Sequence, residues 1–205
     1  MLFNQFTNYL FSLILLIISS TIQADIFVRD DIITTPDINY FSMCHAHGCK
    51  TVEQLSLTDQ EWQKISRHFQ PTAKSAESER SQIAEAIAEF EKIIGVKTDT
   101  TQDKAGLFEH MGSYGQLDCI DESTNTTTYL LILDKQGLLK WHEPMDHITR
   151  GFFIFGWPHS SGAMREKAGP EFAVDSWFED NGQRPHIIPL SKWRSGWSPS
   201  EEQQN

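Results

Sequence analysis

The feature that most constrains this chain is a change of hydrophobic period along it. Two apolar stripes at helical spacing lie before residue 95, and from Gly137 onward short runs with strand character take over. Thr58-Asp59-Gln60-Glu61 has the form of a capping box. Trp62, Ile65 and Phe69 then share one helical face, and Pro71 ends the segment. A second helix is expected over about 78–94, with Ile83, Ile87, Phe90 and Ile94 as its stripe and Gly95 as its C′ residue. Residues 95–117 are rich in Thr, Asp and Gly and read as a loop. A third helix is expected over about 118–133, although its first half, 121–128, has poor helix propensity. Ile26-Phe27-Val28 could form an early strand. Later strands are expected at 138–142, 151–157, 162–166, 172–177 and 186–189, with Gly169-Pro170 turning between the third and fourth of these. Helices first and an antiparallel sheet afterwards is the signature of an α+β fold.

Ahead of these elements, residues 10–18 read LFSLILLII, and the small and polar residues that follow end in Ile22-Gln23-Ala24. That order is expected of a cleavable secretory signal over residues 1–24, although its first residues lack Lys and Arg. The other reading is a retained anchor. The clean apolar part is shorter than the ~20 residues a membrane-spanning helix needs. The expectation is therefore a periplasmic or secreted protein without stable membrane insertion after cleavage. A formal net charge of −11 argues against nucleic acid as a partner and against adhesion to anionic lipid.

Export makes the cysteines informative, because the compartment is oxidising. There are three: Cys44, Cys49 and Cys119. Cys44 and Cys49 flank His45-Ala46-His47-Gly48, and Met43 precedes them. A disulfide closing a tight loop, with Gly48 permitting the turn, is the reading that the compartment favours. The alternative is a metal site drawing on Met43, Cys44, His45, His47 and Cys49, since thiolates and imidazoles suit zinc or copper. Zinc is disfavoured by the spacing, because four tetrahedral ligands do not fit one hexapeptide. A disulfide there leaves Cys119 unpaired, and an odd thiol in an exported chain is a candidate reactive group.

Cys119 sits where a glycine-bearing loop (Gly112, Gly115) gives way to the expected third helix. Unpaired N–H groups at a helix start favour a thiolate, as does a neighbouring histidine. His159, after Pro158, is a candidate base. Asp175, on the next expected strand, is a candidate to orient the imidazole. Gln116, three residues before the cysteine, is a candidate oxyanion donor. Trp141, Trp157, Trp177, Trp193 and Trp197 could line a groove or belong to the core.

Gln116-Leu117-Asp118-Cys119-Ile120-Asp121, Pro158-His159 and Ala173-Val174-Asp175-Ser176-Trp177 together resemble the transglutaminase-like branch of the papain-like cysteine hydrolases. The order is a cysteine at a helix start, then a histidine and an aspartate on successive strands. The resemblance covers roughly residues 110–180, and the whole chain resembles a family of exported bacterial proteins. It implies a papain-like (transglutaminase-like) α+β domain over 56–200, preceded by an extension over 25–55 that carries the Cys44–Cys49 loop. It also implies attack on an amide through Cys119, His159 and Asp175, with no cofactor. A peptide, a peptidoglycan stem peptide or another amide would be the substrate. Two other functions compete: a non-enzymatic metal-binding protein using residues 43–49, and an inactive papain-like module that binds its ligand without chemistry.

Overall fold

A computed structural model of the chain describes residues 29–106, 113–151 and 158–199. Two units are distinguished, Met1–Asp30 and Asp31–Asn205, and every element below belongs to the second. The expected signal, the segment Ile26-Phe27-Val28 and residues 152–157 lie outside the described residues. Gly151, at the start of the strand expected there, is not part of a strand.

Thr58 starts the first helix, α1 (Asp59–Ser66), through a complete capping box. Its hydroxyl accepts from Glu61 N, and the Glu61 carboxylate accepts from Thr58 N at 2.7 Å. A 3-10 turn, Arg67–Phe69, follows and buries Phe69. The second helix, α2 (Ala76–Thr98), is longer than expected at both ends. Ser75 is its cap, and the helix continues through Gly95. The left-handed residue that ends it is Asp99, with φ of 59°. Gly95 is therefore not a C′ residue. It is a point of close approach, since a Cβ there would meet the Asn181 side chain at 3.0 Å.

The third helix, α3 (Cys119–Lys135), forms despite its sequence. Burial nearly all round supplies what intrinsic propensity lacks. Several of its hydroxyls bond back into the helix: Thr124 Oγ1 to Ile120 O and Thr127 Oγ1 to Ser123 O, both at 2.8 Å. Asn125 reaches out instead. It accepts from Cys44 N at 2.7 Å and donates to Cys44 O at 2.9 Å. This ties α3 to β1 (Phe41–His45), which pairs with β2 (Thr51–Leu55) in a hairpin.

Four further strands form an antiparallel sheet in chain order: β3 (His142–Arg150), β4 (His159–Glu166), β5 (Glu171–Asp175) and β6 (His186–Pro189). The strand expected at 138–142 is displaced, because β3 only begins at His142. The reason is Glu79 near the start of α2. Its buried carboxylate accepts the N–H groups of Lys140, Trp141 and His142 and bonds His142 Nδ1 at 2.9 Å. Residues 140–141 therefore give their donors to a side chain rather than to a ladder. A short helix, α4 (Leu190–Arg194), follows β6. The mixture of helices and antiparallel sheet is α+β.

The sheet is covered on both faces. Met164, Phe172 and Val174 point into a core with Ile87 and Phe90 of α2, Tyr129 and Leu130 of α3, and Phe41 and Met43 of β1. Residues 41–45 are thus built into this core. Gly162 lets α3 come close, since a Cβ there would lie 2.6 Å from Thr126 Cγ2. The opposite face packs Ala173 and Ile188 against Leu190, Trp193 and Trp197. Among the described residues no helix is long and apolar enough to cross a membrane.

Candidate functional site

Strand alternation places the first two site residues. Met164 and Val174 face the core shared with α2 and α3, so Ala173 and Asp175 face the other way, toward Trp193. β4 and β5 pair with Gly162 opposite Val174. Just beyond that pair, His159 and Asp175 meet: Nε2 and Oδ2 are 2.8 Å apart. An ionised carboxylate only accepts, so Nε2 carries the proton and Nδ1 is left as the acceptor. Nδ1 has no hydrogen-bond partner among the described residues. The ring is enclosed by Trp177, Phe178 and Trp193, with centroids 4.9, 5.2 and 5.7 Å away. Trp193 also donates its indole N–H to Asp175 Oδ2 at 2.6 Å.

Cys119 is the first residue of α3, as expected, and it lies against Ser160, the residue after His159, whose backbone N–H favours the thiolate. The expected lowering of the thiol is nevertheless reversed. Burial, followed by the charges of Asp118 and Asp175, pushes Cys119 up to about 11. The helix start is also already occupied by an anion. Asp118 is the cap, and its carboxylate accepts from Ile120 N and Asp121 N at 3.0 and 2.9 Å. Cys119 and His159 are not hydrogen-bonded to one another. The charge of Asp175 reaches the Cys119 thiol, and His159 and Asp175 are in direct contact.

Gln116 is used elsewhere. Its Oε1 accepts from Lys104 N at 3.1 Å and its Nε2 donates to Gln102 O at 2.8 Å. It braces the loop ahead of α3 and does not bond Cys119. Of the five tryptophans weighed for a groove, Trp177 and Trp193 contact His159. Trp197 packs on Phe178 at 5.7 Å. Trp141 donates to Ala73 O at 3.3 Å, and Trp157 lies outside the described residues.

Cys44 and Cys49 form a disulfide, with Cα atoms 4.6 Å apart. That bond is consistent with an exported protein. Neither sulfur is then available as a thiolate ligand. Of the other residues weighed for a metal, His45 bonds Glu53 at 2.8 Å and Met43 Sδ accepts from Tyr129 at 3.4 Å. Among the described residues no group of three or more His, Cys, Asp or Glu could hold a metal.

The loop closed by the disulfide is left-handed throughout. Ala46, His47, Gly48 and Cys49 have φ of 68, 68, 64 and 55°. Successive residues of this hand turn their N–H groups inward and make an anion-binding concavity. The anion is part of the protein. His47 N and Cys49 N donate to Asp121 at 2.8 and 2.7 Å, and Gly48 N donates to Asp118 at 2.8 Å. The two carboxylates flanking Cys119 are therefore held from both sides.

Behind them lies a shell of buried carboxyls that the sequence reading did not single out. Burial, with the charge of Asp118, pushes Asp121 up to about 7. Burial likewise raises Asp103 to about 7 and Glu91 to about 8, and holds Glu122 far above its ordinary range. Asp121 could have been found from its spacing to Asp118, since Asp-x-x-Asp ahead of an apolar run is a capping pattern. Ser160 N and Phe178 carry no such signal.

No family model, curated protein or solved structure matches this chain.

Proposed function

We propose that this chain is an exported cysteine hydrolase or acyltransferase acting on an amide bond, built on a papain-like (transglutaminase-like) plan. The observation that carries the reading is the His159–Asp175 pair at 2.8 Å, with the proton on Nε2 and Nδ1 without a partner among the described residues, and a cysteine that opens a helix within reach of the Asp175 charge. Cys119 rests as a neutral thiol, so His159 acts as a general base rather than as half of a preformed ion pair. As Sγ bonds the substrate carbonyl carbon, its proton passes to Nδ1. The amine then leaves with that proton, giving an acyl-enzyme. Water or a second amine attacks the acyl carbon and gives its proton to Nδ1, and the thiol is regenerated as that proton returns to sulfur. The Ser160 N–H holds the sulfur at rest, and reaction requires Sγ to turn onto Nδ1. A peptide, a peptidoglycan stem peptide or another amide is the substrate class.

The test is an electrophilic probe that alkylates an activated thiol, a peptidyl vinyl sulfone, read by intact mass at neutral pH. The wild-type protein should be labelled at Cys119, and His159→Ala should slow labelling at least about a hundredfold. Equal rates in the two proteins would sink the reading.

One observation favours a second reading, an inactive module that binds its ligand without chemistry. It is the thiol raised to about 11 with no hydrogen bond to His159. That reading predicts ligand binding unchanged in Cys119→Ala and no labelling by the probe.

A further inference from the structure

We infer that Trp193 is a positioning residue for the His159–Asp175 pair. The inference rests on the reading of that pair as base and orienter. Asp175 is 1 % exposed and closes β5. Two donors reach its carboxylate, His159 Nε2 at 2.8 Å and Trp193 Nε1 at 2.6 Å, and both use Oδ2. Oδ1 is buried without a partner among the described residues. A carboxylate bound only by the imidazole could turn about its last bond and exchange its oxygens. A second donor on the same oxygen holds the carboxylate in one orientation against Nε2, and an acceptor held there keeps the proton on that nitrogen.

Trp193 is itself held in place. It is fully buried. The Arg150 guanidinium lies 4.5 Å over its ring, and the same group donates to the carbonyls of Trp193 and Trp197, the latter at 2.7 Å. Arg150 faces His159 across the β3–β4 ladder. The start of β4 and α4 therefore meet at one carboxylate oxygen at the end of β5, and the end of β3 holds Trp193 in place. Trp197 is a built-in contrast: it is as deeply buried, yet its indole N–H has no partner among the described residues. The bond to Asp175 is thus specific to Trp193 and not a general consequence of burying an indole here.

The test uses the full mature protein, 15N-labelled at Trp and His. Among the indole N–H resonances, that of Trp193 should lie far downfield and exchange slowly, and that of Trp197 should lie in the ordinary range. His159 should show a protonated Nε2 and an unprotonated Nδ1. Trp193→Phe keeps an aromatic ring, smaller than the indole, and removes the donor. It should broaden or erase the His159 Nε2–H signal and slow vinyl sulfone labelling of Cys119 about tenfold, at unchanged half-saturation. A purely structural role would not move the imidazole signature in a folded variant. Unchanged His159 resonances in folded Trp193→Phe overturn the proposal. If that variant does not fold, an ordinary-range Trp193 resonance in the wild-type protein overturns it alone. If instead His159→Ala labels as fast as wild type while Trp193→Phe still alters the imidazole signal, the catalytic reading has failed and the positioning contact stands.

Discussion

Cys49 donates its backbone N–H to Asp121 Oδ1 across 2.7 Å, joining the disulfide loop to the first turn of the helix that Cys119 opens. With His47 N and Gly48 N on the same pair of carboxylates, the loop acts as an external cap on α3. The arrangement stabilises one structure by imposing strain on another. Three non-glycine residues, Ala46, His47 and Cys49, adopt positive φ to supply those donors.

That strain can be relieved at one position without touching a donor. Ala46→Gly should raise stability by up to about 1 kcal/mol, because glycine adopts this conformation without steric cost. Gly48→Ala should lower it by about the same amount. A Cβ at residue 48 meets nothing within 4 Å, so the loss would be conformational and not a clash. Urea unfolding of both variants checks the pair of signs.

The loop also needs its covalent closure. Replacing Cys44 and Cys49 together by Ala should cost about 2 kcal/mol for a loop this short. The loss should be felt at α3, as faster amide hydrogen exchange over residues 120–123, and not only in the loop. Exchange changes confined to residues 44–49 would contradict the coupling.

The charge at the helix cap should set thiol reactivity. Asp118→Asn keeps a good N-cap and removes one of the anions that raise Cys119. Iodoacetamide labelling of Cys119 at pH 8 should become roughly two- to tenfold faster, tenfold corresponding to one pKa unit. Cys44 and Cys49 are oxidised and do not compete. Unchanged labelling would mean that burial alone governs this thiol.

Much of this was legible beforehand, and the reasons differ by residue. The capping box at Thr58 and the stripe Ile83-Ile87-Phe90-Ile94 depend on neighbours a few positions away, so local pattern was enough. The Cys44–Cys49 bond was expected from the oxidising compartment that residues 1–24 suggest. The pairing of His159 with Asp175 was expected from two consecutive strands forming a hairpin, but the register that brings them together, with Gly162 opposite Val174, was not legible. What the pattern missed depends on distant residues. Gly95 looks like a terminator until Asn181 is seen beside it. His142 looks like a strand end until Glu79, 63 residues earlier, is seen to take its donors. The thiol of Cys119 looks activated until the burial of its surroundings and the charges of Asp118 and Asp175 are added. The Thr-rich start of α3 is helical because it is buried, which propensity cannot report.

The buried carboxyls make stability fall with rising pH over a defined window. Glu91, Asp103 and Asp121 titrate at about 8, 7 and 7 in the folded protein, and Glu122 higher, mainly through burial. In the unfolded chain the same groups lose their protons near pH 4. Between about pH 4 and 8 the folded state therefore holds more protons, and each rise in pH costs stability. The melting temperature should be higher at pH 5 than at pH 8, and Glu122→Gln should flatten the slope. A melting temperature that climbs from pH 5 to pH 8 would contradict the assignment.

Glu79 works in the opposite sense. Burial alone would raise its carboxyl, but the His142 bond and the three N–H groups of residues 140–142 outweigh it and hold it below the ordinary range. Its contribution is therefore present above about pH 4.5 and is lost as the pH falls further. Arg80 extends the contact, bonding Glu166 and lying 3.4 Å from His142 Nε2. Glu79→Ala leaves the buried His142 N–H and imidazole, and the half-buried N–H groups of Lys140 and Trp141, without their acceptor, and should cost about 3–5 kcal/mol at pH 7. His142→Ala removes one of those donors and should cost less. Because the two side chains share one bond, the double variant should recover about 1–3 kcal/mol relative to the sum of the single losses. Denaturant unfolding of the four proteins measures this, and strict additivity would show that the carboxylate serves the turn at 140–141 and not the histidine.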